Sequence, residues 1–355
     1  MSIERLASGS SARRLLSPGV ETPQPVEQVA KAPAEGTIRI PYDDINGKFQ
    51  IADAVLLKAS YDVECPAADR ISAISMDGQR AVARIEENFE LLDAKTGRTI
   101  ADIRGIYIFT FTPDSRWLVG CGGTLVERDS EHKTVIRAWD SRTGQEERTA
   151  ASFQMRFPAD ICFNAKGTML ALYGDCVFCL YDWHGGCDII RGESRHNEKW
   201  YHLAKLFFTD DDSYLFARGY STQEGNALLR LKVMDPEAKF ELVKGSTGAT
   251  VAYSPSLPLA MTEIKNKTEV VNMLTGESTP LRGANMSGPF AFCNQSKTVL
   301  FRGDPPDKIV GYDLNSNIPV FVLDAPDYFP RNIFVLPDGK VIVTADGRII
   351  GWELP

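Results

Sequence analysis

The chain has 355 residues, with 47 Asp and Glu against 39 Lys and Arg and a formal charge of −8. Binding to a polyphosphate or an anionic membrane draws on counterion release at a basic surface, so this balance argues against nucleic-acid and membrane-surface binders. No apolar run is long enough to span a bilayer, and the N-terminus lacks the continuous apolar segment of a secretory leader, so no membrane insertion is expected.

The first 36 residues are rich in Ser, Pro, Ala and charge and carry no sustained periodicity. They read as a disordered tail, with the folded part over 37–355. Within the tail, Ser17-Pro18 and Thr22-Pro23 are candidate phosphorylation sites, just after Arg13-Arg14-Leu15-Leu16. Seven cysteines at irregular spacing (Cys65, Cys121, Cys162, Cys176, Cys179, Cys187, Cys293) do not form a disulfide framework. They suit a reducing compartment, so a cytoplasmic or nuclear protein is expected. The sequons at Asn266, Asn285 and Asn294 are then expected to be chance matches.

From residue 70 onward a unit recurs about every 42 residues. Its first signature is a short apolar strand closed by an acidic turn, often with Gly four residues on. It reads Leu-Leu-Asp93 to Gly97, Ala-Trp-Asp140 to Gly144 and Leu-Tyr-Asp182 to Gly186, with weaker copies at Asp235, Asn272, Asp313 and Glu353. A second signature runs in phase between these: an apolar strand ending in a polar tight turn. Examples are Met76-Asp77-Gly78, Pro113-Asp114-Ser115, Asp211-Asp212-Ser213 and Pro337-Asp338-Gly339. Asp and Asn hydrogen-bond their own backbone in turns, and Gly supplies positive φ without steric cost. The period accommodates four short strands per unit. One such sheet cannot bury both faces alone, whereas a closed ring of seven does. Ile74, Phe111, Phe163, Phe208, Tyr253, Phe292 and Val335 hold matching positions before the second-signature turns and are expected to pack between neighbouring sheets.

The Trp139-Asp140, Tyr181-Asp182 and Trp352-Glu353 units at this period resemble diverged WD40 repeats. The resemblance implies an all-β, seven-bladed β-propeller of four-stranded blades over about residues 50–355. It departs from the family in lacking the Gly-His pair between blades. The final unit has three strands, so the ring is expected to close by an N-terminal strand pairing with the C-terminal blade, taken from the apolar segment Ile51–Ser60.

Motifs for catalysis or phosphate binding are missing: there is no Gly-Xaa-Ser-Xaa-Gly elbow, His-Glu-Xaa-Xaa-His helix or phosphate loop. Gly120-Cys121-Gly122-Gly123 reads as a hairpin loop. Cys176-Val177-Phe178-Cys179 has metal-like spacing but sits in an expected strand, where residues three apart face opposite ways. Asp210-Asp211-Asp212 reads as a solvated turn. No metal or cofactor is expected.

By the family resemblance, loops entering each blade share one face with loops between second and third strands. Three such loops are long: Cys121 to Lys133, Arg191 to Trp200 and Gly219 to Asn226. They gather Arg128, His132, Arg191, Arg195, His196, Lys199, Trp200, Tyr201 and Tyr220, a set rich in the residue types that carry interface energy. The expected function is therefore a non-catalytic platform that presents this face to a protein or peptide partner, probing neither nucleic acid nor membrane. Two alternatives are an enzyme acting on a small molecule at the central channel and a phosphoinositide-binding propeller. The latter's paired-arginine motif is not met, with single arginines at Arg218 and Arg302.

Overall fold

A computed structural model describes residues 36–354 apart from 44–48, 66–69, 125–132, 154, 156, 175, 197–198, 223–224, 236, 238, 245–248, 255–256, 265–266, 282–286, 294–297, 303–307, 317 and 325–329. The expected tail, with Ser17 and Thr22, lies outside the described residues, as do Arg128 and His132.

The described residues contain no α-helix and form seven blades of four antiparallel strands. In chain order the blades span residues 71–103, 108–153, 158–193, 202–244, 249–281, 287–324 and 330–353, the last completed by an N-terminal strand. The first strands of blades 1 to 4, and those of blades 5 to 7, lie against their neighbours and form the inner wall of the ring. They all run in one direction, so the segments leading into them share a face with the hairpins between second and third strands.

Two kinds of turn make the blades. In the outer turns, the carboxylate or amide at the repeat position gathers the backbone ahead of it. Asp140 Oδ1 accepts N–H groups from Arg142 (3.0 Å) and Thr143 (2.9 Å) and the Thr143 hydroxyl (3.0 Å). Asp93, Asp182, Asn272 and Asp313 do the same in their blades. After Asp93, Asp140, Asp182 and Asn272 the Gly four positions on sits at positive φ, from 68° at Gly97 to 77° at Gly276, where a Cβ would be strained. In the inner turns, Ser75, Thr112 and Thr209 each donate a hydroxyl to the carboxylate two residues on and accept the backbone N–H five residues on.

Apolar clusters lie between blades, one at each junction of the ring. Blades 3 and 4 share Tyr173, Phe178, Tyr201, Leu215 and Phe240, and blades 7 and 1 share Ile74, Leu92, Leu336 and Ile342. The other five junctions are built alike. The seven matched bulky residues all sit in or against these clusters, as their spacing implied. Polar latches tie neighbouring blades at the turns. The Asp77 N–H donates to Ser115 Oγ (3.0 Å), and Lys166 Nζ meets Asp212 Oδ2 (3.0 Å).

Ring closure follows the expected principle with a different segment. The strand that completes blade 7 is Tyr61–Glu64, antiparallel to Arg348–Glu353. Phe49–Lys58 instead adds in parallel to Ile318–Asp324 at the outer edge of blade 6, and Thr37–Asp43 pairs onto it. Between the two, Ser60 donates its N–H (2.7 Å) and hydroxyl (2.9 Å) to the Gly351 carbonyl. The N-terminal segment thus straddles blades 6 and 7. The apolar run Ile51–Leu57 drew the expectation because it is the more hydrophobic of the two. The true closing strand alternates half-buried Tyr61 and Val63 with exposed Asp62 and Glu64, and Asp62 pairs with Arg348 at 2.6 Å.

Two outcomes follow. Deleting Tyr61–Glu64 abolishes the cooperative melting transition, whereas deleting residues 1–30 leaves it in place. Gly351→Val places a side chain where the Tyr61 ring lies, and overpacking of this kind lowers stability by about 2 kcal/mol, read from urea midpoints. Asp211, held down to about 2 by the hydroxyls of Thr209 and Ser213, provides a pH test. A depressed carboxylate contributes stability above its unfolded value near about 4 and loses it as pH falls through its folded value. Asp211→Asn is accordingly less stable than the parent at about pH 6, and the difference closes as pH falls through about 2.

Candidate functional site

Two regions of the ring concentrate functional groups: the face at the heads of the first strands, and the channel they enclose.

On the face, an arc of exposed aromatic side chains crosses blades 2 to 4. Tyr107 directly precedes the first strand of blade 2 and is 58% exposed; Phe157 directly precedes that of blade 3 and is 76% exposed. Trp200 (41%) lies two residues ahead of the first strand of blade 4, and Tyr220 (49%) pairs across from His202, the first residue of that strand. Because first strands are parallel neighbours, the four residues share one rim of the ring. The backbones of Tyr107, Trp200 and Tyr220 are anchored. The Tyr107 N–H donates to the Cys121 carbonyl (3.1 Å), and Trp200 belongs to a two-stranded hairpin in which it pairs with Arg195. Phe157 has a φ of 47°, a left-handed conformation costly for an aromatic residue.

The structure sorts the expected site residues. Trp200 and Tyr220 are on the rim, with Lys199 half-buried beside Trp200. Arg191 sits in the outer strand of blade 3, its guanidinium 2.9 Å from Asp188. Arg195 and His196 supply one arm of the hairpin, paired with Trp200 and Lys199. Tyr201 departs from expectation. It is fully buried, packed against Gly219 and the cluster between blades 3 and 4. Adjacent residues at the start of a strand point to opposite sides, so only one of the Trp200-Tyr201 pair can be on the surface.

Two of the expected loops are shorter than they read. The arms of the blade 4 hairpin run on to Ser221 and resume at Gly225. In blade 2, Gly120 to Gly123 belongs to the second strand rather than a loop. A Cβ on Gly122 would collide with the carbonyl of Gly105, so glycine there permits the chain entering blade 2 to pass close over the strand. Tyr107 and Phe157 were missed. Their signal is position: each occupies the residue before a first strand, beside the place Trp200 holds one blade further on.

The channel holds a cavity of about 500 Å³ whose lining includes Ile74, Tyr253, Phe292 and Phe334, together with Lys205 and Arg218. Beside it, buried Asp160 on the first strand of blade 3 bridges to blade 4. Its Oδ2 accepts the Leu206 N–H at 2.5 Å, and its Oδ1 lies 3.4 Å from Lys205 Nζ. Burial pushes the Asp160 carboxyl up, and Lys205 pulls it back down. Elsewhere, Cys179 is buried with its thiol 3.4 Å from Asp188 Oδ1, while Cys176 lies at a hairpin tip, so the Cys176–Cys179 spacing does not converge on one point. Among the described residues no group of three or more His, Cys, Asp or Glu comes together as a metal-ligand set.

In sequence comparisons, no family model and no curated protein matches the chain.

Removing the Lys205 charge tests the Asp160 bridge. Lys205→Met leaves a buried carboxylate without its counter-charge and costs about 1–2 kcal/mol at neutral pH, less than a fully buried pair because the lysine is mostly exposed. The deficit shrinks as pH falls, because Asp160 then takes up a proton. Thermal melts from about pH 8 to about pH 4 read both effects.

Proposed function

We propose that the chain is a non-catalytic interaction platform, a diverged WD40-type propeller that presents one rim of its ring to a protein or peptide partner within a larger complex. The observation that carries this reading is the arc of Tyr107, Phe157, Trp200 and Tyr220, four exposed aromatics on one face across three consecutive blades. Tyr and Trp bury much apolar area for few rotatable bonds, so docking on them loses little side-chain entropy. The hydrogen-bonded backbones of Tyr107, Trp200 and Tyr220 hold those rings in place before a partner arrives, which further limits the cost of association. Lys199, next to Trp200 in the hairpin, adds a polar group that fixes orientation. The WD40-type assignment is supported by the aspartate-centred turns, which recur with the same hydrogen bonds in successive blades.

The test compares three proteins of matched melting temperature as baits: the parent, Trp200→Ala/Tyr220→Ala on the rim, and Met234→Ser, an exposed residue in an outer turn of the opposite face. A stoichiometric partner is retained by the parent and by Met234→Ser. Its affinity for the rim variant falls at least about 30-fold, as loss of two aromatic anchors requires. A partner held equally by all three places binding off this rim. A parent that binds no macromolecule but turns over or retains a small molecule in its channel supports the enzyme alternative.

A further inference from the structure

Cys176 stands at the tip of the hairpin joining the second and third strands of blade 3, Met169–Gly174 and Val177–Asp182. Its φ is 63°, a left-handed conformation that glycine or asparagine adopts at lower cost. Four hydrogen bonds hold this tip and the start of blade 4 to a common hub. The Cys176 N–H donates to the Tyr173 phenol oxygen (3.2 Å), and the Cys176 carbonyl accepts the Ser194 N–H (2.9 Å). The Tyr201 carbonyl accepts the Ser194 hydroxyl (2.5 Å) and the Tyr173 hydroxyl (3.3 Å). The residue after Tyr201 is His202. The hub thereby sets Cys176 Sγ 3.7 Å from His202 Nδ1, across the junction of two blades.

The other thiols differ. Cys65, Cys121, Cys179 and Cys293 are buried, and burial pushes the thiols of Cys121 and Cys179 up to about 12 and that of Cys162 well above its ordinary value. Such groups are structural and unreactive. Cys187 is exposed at the start of the outer strand of blade 3. Cys176 is half-buried, open at a hairpin tip, and sits against an exposed imidazole. A nucleophile and a base within contact, each held by its own backbone, is the arrangement that activates a thiol.

We propose that Cys176 is a modification site, a thiol that reacts with hydroperoxides with His202 as its base. In the tautomer that carries its proton on Nε2, the ring presents Nδ1 as acceptor. Nδ1 takes the Sγ proton, and the sulfur attacks one oxygen of the hydroperoxide. The S–O bond forms as the O–O bond breaks. The thiol is oxidised to a sulfenic acid, and the hydroperoxide is reduced to water or an alcohol, the leaving oxygen taking the proton from His202. His202 pairs across from Tyr220, so the oxidised sulfur stands on the rim assigned to the partner. This last consequence rests on the platform reading, whereas the reactivity does not.

The experiment uses the full chain, hydrogen peroxide as oxidant, a sulfenic-acid trap and peptide mass spectrometry, with Cys187 as the internal control. Cys176 is trapped about tenfold faster than Cys187 in the native protein, and His202→Gln brings the two within about twofold. In urea the parent's ratio falls to about one, a readout that needs no variant to fold. A Cys176 rate no greater than that of Cys187 overturns the proposal, as does a rate unchanged in His202→Gln or a ratio that persists in urea. Because no partner is present, a failure here leaves the platform reading standing, and loss of that reading leaves this one.

Discussion

A four-stranded antiparallel sheet with apolar side chains on both faces has nowhere to put them except between two other sheets. That constraint organises this protein. Each blade supplies half of two clusters, so no junction is complete until its neighbour is in place, and the first blade depends on the last. The ring has no free end at which to start fraying only if blade 7 is finished, and its fourth strand comes from residues far away in the chain, Tyr61–Glu64. The preceding strand lies along blade 6, so a single N-terminal segment clamps both blades at the point where the ring would open.

Rigidity of the ring gives the rim its meaning. Tyr107, Phe157, Trp200 and Tyr220 belong to three blades and come from positions more than a hundred residues apart in the chain, yet parallel first strands bring them to one edge. The same logic joins Cys176 of blade 3 to His202 of blade 4, held through Tyr173 and Ser194. Groups brought together this way are only as well placed as the blade junction beneath them. At blades 3 and 4 that junction contains Tyr201, Phe178 and Phe240, all fully buried.

Much of the fold was legible in the sequence because turns are local. Asp140 binds the backbone two and three residues ahead, and Gly144 sits where positive φ is required, so the unit is written in five consecutive letters. The spacing of such units then sets the number of strands and blades. What was not legible depends on distant partners. Nothing in Tyr-Asp-Val-Glu at 61–64 announces that it, and not the more apolar Ile51–Leu57, pairs with the C-terminal strand; Asp62 finds Arg348 only once the ring is closed. In the candidate site, Trp200 and Tyr220 were legible as aromatic residues in a rim segment. Tyr201 was misplaced because register alone decides which of two adjacent aromatics turns inward. Tyr107, Phe157 and the Cys176–His202 contact require knowing which strand heads are neighbours in space.

Hydrogen–deuterium exchange of the closing strand bears most directly on this account. If residues 61–64 complete the ring, those of their amides that point to Arg348–Glu353, and the amides of 348–351, exchange only through global unfolding, as slowly as the first strands of blades 3 and 4. Exchange of all the amides of 61–64 within seconds under native conditions, with those inner strands still protected, would contradict the closed ring on which the rim depends.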